Sequence, residues 1–269
     1  MANFPTIAIG LPFVHAGGFS AEYTAILARA TALGYTLPSA AQQIVQNKLV
    51  LDLKTSGVWD LRDVIYSPAN NGSKEFGTLN WKNPLVHQKT LVSSPTWTSN
   101  LGYSGNGSSS YVDWNYNPAT QGVQFTLNNH AYEAWNLNAT AQQGVLLSAF
   151  GAAYCEISND NPNTRIIVYD SNVIGRLPAI ASGQQNGWFM NERTSALDAG
   201  WKTFKNNIDL GHIGSPSIAL PNVNFRLFTR QGGSFWGNGQ VAFCGAGASL
   251  STQQKTDYYN LINTYLTAL

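Results

Sequence analysis

The sequence predicts a mainly β chain in which two antiparallel sheets pack face to face, with a pair of helices in front and one helix behind. Many short runs of β-branched and aromatic residues are separated by Asn, Gly and Pro turn signals, the pattern of a many-stranded sandwich rather than a parallel α/β sheet. Hydrophobic residues make up 43% and aromatics 12% of the 269 residues, enough apolar material for one large core. Apolar residues at helical spacing occur only near the two ends.

Residues 1–19 carry Phe4-Pro5, Gly10, Pro12 and Gly17-Gly18 without any period, so they read as an extended arm. Such an arm either anchors on a neighbouring subunit or packs against its own chain. Residues 20–57 form a helical pair. Ser20 offers an N-cap, Ile26, Leu27, Ala30 and Leu33 share a face, and Gly34 supplies a left-handed stop. Ser39 with Gln42 has the capping-box spacing of a second helix, whose apolar face is expected at Ala41, Ile44, Val45, Leu49, Leu51 and Leu53, ending at Gly57.

From residue 58 to 269 the chain is expected to form the sandwich and its closing helix. Strands are predicted over 63–67, 77–81, 122–128, 132–137, 145–150, 153–157, 165–169, 187–191, 201–205, 225–230 and 240–244. Residues 101–116 read as a hairpin turning at Asn106-Gly107. Ser251 with Gln254 repeats the capping-box spacing, and Tyr258, Leu261, Ile262, Tyr265 and Leu266 then line one face of a helix running to the end.

Charged residues are only 11%, against roughly 25% in an average domain, and 15 basic residues nearly cancel 14 acidic ones. No strong field draws nucleic acid or an anionic membrane, and neither is expected as a partner. The start, Met1-Ala-Asn-Phe-Pro-Thr-Ile, has no basic segment and no long apolar run, which predicts no signal-dependent export and no membrane span. Cys155 and Cys244 stand far apart in sequence and are expected to be buried free thiols.

Catalytic patterns are missing. Sandwiches include glycoside hydrolases, which flank the scissile bond with two carboxylates. Glu22, Glu75, Glu133, Glu156 and Glu192 each lack a second carboxylate two residues away, and Glu156 with Asp160 leads into what reads as a turn at 158–162. The Gly-x-Ser-x-Gly nucleophile pattern does not occur. His15, His87, His130 and His212 are scattered without ligand spacing. Gly102, Gly105 and Gly107 precede a strand, where a phosphate loop would need a helix. No catalytic residue, metal or cofactor is expected, and the chain is expected not to be an enzyme.

Binding chemistry is better represented. Eight Trp and twelve Tyr offer apolar ring faces with a polar handle. Phe235-Trp236 lies in the Gly-rich run 231–239, so the pair is either a contact point for a ligand or subunit, or a lid over the end of the sandwich. Trp114, Tyr116, Tyr132 and Trp135 alternate as strand faces do and read as core.

The stretch from Gly102 to Trp114 with Tyr111-Val-Asp, followed by Phe125-Thr-Leu, resembles the opening strands of concanavalin A-like and laminin-G-like jelly rolls. Residues 191–207 and 242–251 resemble later strands of that group and its closing helix. The lead-in, from Arg29 through Pro38-Ser39, then Asp52 to Trp59, Asn71 to Phe76 and Asn80 to Pro84, is similar to jelly-roll virion proteins of tailed bacteriophages. The resemblance implies a virion structural protein, a capsid-decorating or fibre component assembled in the host cytoplasm. It also implies a homo-oligomer that meets other virion proteins through the 1–19 arm and a host-surface glycan through its module. A stand-alone lectin and a divergent glycoside hydrolase are the alternatives. Calcium sites in that group use clustered Asp and Asn, and Asp113 is the one acidic residue in the matching segment, too few for a hard cation.

Overall fold

The computed structural model describes residues 18–138, 144–160, 165–170, 173–179, 186–211 and 216–269. Apart from Gly18 and Phe19, the expected arm lies outside them. Helices α1 (Ala21–Ala32) and α2 (Ala40–Thr55) start where their caps predict, with the Ser20 and Ser39 side chains accepting from the backbone N–H of Tyr23 and Gln42. Next come β1 (Arg62–Tyr66), β2 (Thr90–Val92), β3 (Thr96–Thr98), β4 (Gly102–Ser104) and β5 (Tyr111–Asp113). A single-turn helix α3 (Pro118–Gln121) precedes β6 (His130–Asn136), β7 (Gly144–Phe150), β8 (Tyr154–Asp160), β9 (Arg165–Asp170) and β10 (Val173–Ala179). The chain closes with β11 (Gly187–Arg193), β12 (Trp201–Lys205), β13 (Ile208–Asp209), β14 (Arg226–Leu227), β15 (Gln240–Gly247) and α4 (Thr252–Thr267). At α4 the capping box is complete in both directions between Ser251 and Gln254.

The strands make two antiparallel sheets, as expected for a sandwich. The first runs β13-β12-β11-β6-β15-β4-β3 with β1 also on β15, and the second runs β10-β9-β8-β7-β14-β5-β2. Between them lies one apolar cluster that includes Tyr66, Val112, Trp114, Tyr132, Leu147, Phe225 and Cys244. A second cluster joins the far face of the first sheet to α1, α2 and α4 through Tyr23, Leu53, Trp81, Trp188, Tyr258 and Ile262. The first sheet is thus covered on both faces. That is why every residue of β6 is buried and its sequence, HAYEAWN, shows no clean alternation.

Burial on both faces also traps charge. Arg62 and Glu133 are fully buried with Nη1 and Oε2 3.5 Å apart, and Tyr258 donates to the other Glu133 oxygen at 2.7 Å. The Arg62 guanidinium lies 4.8 Å from the Tyr258 ring centre, and its Nε and Nη2 have no hydrogen-bond partner. Desolvation pushes the Glu133 carboxyl above its ordinary range, and Arg62 opposes this only in part.

Several sequence expectations are corrected. Residues 101–116 are no hairpin: β4 belongs to the first sheet and β5 to the second, so the chain crosses between them. The turn itself is as expected, with Gly107 at φ 73° and Asn106 Oδ1 accepting from the backbone of Ser108, Ser109 and Ser110. The run 77–81 is a plug rather than a strand, because a 3-10 turn at Phe76–Thr78 leads to Asn80, whose side chain accepts from Ile65 N at 3.2 Å. No strand forms over 122–128, where the Asp63 carboxylate holds the successive N–H groups of Val123, Gln124 and Phe125. Only Arg226–Leu227 of the 225–230 run pairs as a strand.

Helix α2 buries Leu49 and Leu53 as expected, but the rest of its buried face differs from the expected one. Ile44 and Leu51 are exposed, whereas Gln42, Gln46 and Asn47 are buried. Each polar side chain has a tertiary partner: Gln46 accepts from Tyr23 Oη and donates to Tyr265 Oη, Asn47 accepts from Ser20 N, and Gln42 bonds Asn71 N and Asn100.

Candidate functional site

The second sheet has one face in the core and carries no helical layer on the other among the described residues. Its strand registers put two rows side by side. Leu91, Val112, Leu227, Leu147 and Ile157 are successive cross-strand neighbours in the core-facing row. Thr90, Asp113, Arg226, Ser148 and Glu156 are neighbours in the outward row. Period-two alternation therefore lifts two carboxylates and a guanidinium onto one outer face.

The loop between β14 and β15 turns back over this face. Phe228 N donates to Leu146 O at 3.3 Å, Gly237 N donates to Phe228 O at 2.8 Å, and Arg230 N donates to Ser234 O at 3.1 Å, closing the loop on itself. Phe228 and Phe235 sit at φ 72° and 56°, a left-handed backbone that costs a bulky residue about 1–3 kcal/mol. These contacts hold the strained backbone in place.

Two clusters result. In the first, Arg230 grips the fully buried Glu156 with both arms, Nε to Oε2 at 2.8 Å and Nη2 to Oε1 at 2.7 Å, while Ser148 Oγ donates to Oε2 at 2.9 Å. The guanidinium lies 4.2 Å from the Phe150 ring centre and 4.4 Å from that of Phe235. Phe150 in turn stacks on Tyr154 at 4.2 Å, so Tyr154, Phe150, Arg230 and Phe235 form one continuous pile. In the second cluster Asp113 accepts from Arg226 Nε at 3.0 Å, Asn224 Nδ2 at 2.9 Å and Asn115 N at 2.9 Å. The Arg226 guanidinium lies 4.7 Å from the Tyr111 ring centre, and Trp236 approaches Tyr111 at 6.1 Å.

The two residues singled out from sequence, Phe235 and Trp236, therefore sit at this face but in different clusters. Phe235 is 42% exposed and Trp236 is half-buried. Arg226, Arg230, Tyr111, Phe150 and Glu156 complete the site and were not picked out as site residues. Glu156 lies in the strand expected over 153–157, and that strand continues through Asp160, where 158–162 reads as a turn.

Gly237 seats the loop. A Cβ there would overlap the backbone of Val145, so no side chain fits. Gly237→Ala is expected to lift the loop off the sheet, raising amide hydrogen exchange across 228–238 while exchange in β6 stays as in the native chain. Unchanged exchange in the loop would show that its position does not depend on this close approach.

No family model matches the chain, and no curated protein matches it. Solved structures of similar fold do exist. A mutant of Trypanosoma rangeli sialidase displaying trans-sialidase activity aligns with a TM-score of 0.53 and 11% identity, over 83% of this chain and 39% of the sialidase. The same sialidase bound to a difluoro-nononic acid aligns with a TM-score of 0.54 and 10% identity, over 83% of this chain and 40% of that one. The binding domain of botulinum neurotoxin DC in complex with SialylT aligns with a TM-score of 0.50 and 9% identity, over 75% of this chain and 51% of that domain. The chain spans about two fifths of the sialidases it matches, and likeness at this identity is likeness of fold.

These matches correct the expectation that the chain is not an enzyme, since the fold is found within sialidase chains. The sequence test behind that expectation looked for carboxylates two residues apart. Antiparallel pairing instead brings residues as distant in sequence as Asp113 and Glu156 onto one face.

Proposed function

We propose that the outer face of the second sheet is a carbohydrate-contact surface. The observation that carries this reading is the meeting there of accessible aromatic rings with carboxylate–guanidinium pairs. A sugar ring offers C–H faces that stack on Tyr, Phe or Trp, and hydroxyls that bond fixed carboxylates, amides and guanidinium groups. Asp113 with Arg226 and Glu156 with Arg230 each cancel in charge and hold one another in place, so the polar groups are oriented before a ligand arrives. The names of the similar structures, a sialidase and a toxin binding domain in complex with SialylT, support the same reading.

Binding to a panel of immobilised neutral and sialylated glycans tests it. One or more glycans are expected to bind, and Tyr111→Ala and Trp236→Ala are each expected to weaken that binding about ten- to hundredfold, the loss of roughly 1–3 kcal/mol of ring stacking. A folded protein that binds no glycan on the panel overturns the reading. Release of free sugar from a bound glycan, followed in the same samples, separates a hydrolase from a lectin. The virion setting implied by the resemblance is a finer reading of the same surface, tested by mass spectrometry of purified particles.

A further inference from the structure

Lys89 lies immediately before β2, yet only 4% of it is exposed. Its backbone N–H donates to Thr78 O at 2.9 Å, and its side chain runs inward between the sheets. There Nζ sits 3.0 Å from Cys244 Sγ, 3.8 Å from the Tyr66 ring centre and 5.0 Å from that of Trp114. Cys244 is fully buried in β15, at the middle of the first sheet. No carboxylate of the described residues pairs with this lysine; the group its amine meets is the sulfur.

An ammonium in such a place keeps only two ring faces as compensation for its lost hydration. Burial lowers the lysine's pKa and raises that of the thiol, which favours the neutral form of each. A cleft of about 370 Å³ lined by Tyr35, Thr78, Gln88 and Thr90 leads from the surface to Lys89.

We propose that Lys89 and Cys244 form a modification site at which dioxygen joins nitrogen to sulfur through a single bridging oxygen atom. The thiol and the amine each give up one hydrogen and two electrons. One oxygen atom stays between N and S, and the other leaves as water with the two hydrogens, which accounts for all four electrons that dioxygen accepts. The bridge ties the loop from β1 to β2 to the centre of the first sheet.

Intact-mass and peptide-mapping analysis of the full chain, purified with and without air, tests this. The aerobic chain is expected to gain one oxygen and lose two hydrogens, with the Lys89 and Cys244 peptides joined. A small thiol reductant should reverse the change on partial unfolding, and Cys244→Ser and Lys89→Met should each prevent it. If either core substitution fails to fold, the mapped native chain decides. An unchanged mass, sulfinic acid at Cys244 with Lys89 untouched, or a direct S–N link marked by loss of two hydrogens alone would overturn the proposal.

Discussion

Replacing Arg62 with Met is expected to destabilise the fold by about 3–5 kcal/mol at neutral pH, the usual result of removing one partner of a fully buried ion pair. The lost pair is not the main term, because its separation of 3.5 Å is long. What costs is the Glu133 carboxylate left behind, with Tyr258 as its remaining donor. The pH dependence makes the prediction specific. Glu133 in the folded chain already holds its proton above the ordinary carboxylate range, because burial outweighs Arg62. A group raised in this way contributes stability that is full below the unfolded value and is lost as pH rises through the folded one. Without Arg62 the folded value rises further, so the gap between native and Arg62→Met chains should be small in acid and widen with rising pH. Urea unfolding at several values between about pH 4 and pH 8 measures it, and Glu133→Gln should remove the widening. A gap independent of pH would mean that Arg62 acts through packing alone.

Arg230→Ala is expected to cost nearly as much, about 3 kcal/mol, and to abolish glycan binding as well. Glu156 is fully buried and takes both guanidinium arms, but the Arg230 side chain is 16% exposed, so water can reach the vacated site and the cost falls at the lower end for broken buried pairs. Arg230→Lys keeps the charge without the planar fork or the stacking between Phe150 and Phe235. It should recover part of the stability and little of the binding. If Arg230→Ala unfolds at the native urea concentration, the pair is a surface contact and the rigid site described above does not exist.

The parts of the fold that were legible in the sequence are those fixed by neighbours in the chain. Ser20, Ser39 and Ser251 mark their helices because a cap bonds three residues ahead. Asn106-Gly107 marks its turn for the same local reason. What failed depends on distant partners. Gln42, Gln46 and Asn47 look solvent-facing until Tyr23, Tyr265, Asn71 and Ser20 arrive to bond them. The flanks of the 106–107 turn look like paired strands because nothing local says that one joins each sheet. The site was half legible. Phe235 and Trp236 stood out by their Gly-rich setting, whereas Arg226 and Arg230 declare themselves only opposite Asp113 and Glu156. One signal was available: Tyr154-Cys-Glu-Ile-Ser alternates polar and apolar, the mark of a strand whose two faces differ, and a carboxylate on the polar face calls for a cation.

The two sheets also differ in how freely they can be rewritten. A side chain of β6 or β15 presses on a helix layer or on the opposing sheet, so almost any exchange there is felt by the whole molecule. Tyr111, Arg226 and Phe150 answer to the core only through the backbone that carries them, and their neighbours in the outward row are exchangeable in matched pairs. Selection on what the chain touches thus has one surface where it can work quickly, and it must work there two residues at a time. Asp113 cannot drift without Arg226, nor Glu156 without Arg230, which makes a change of ligand a coordinated event rather than a gradual one.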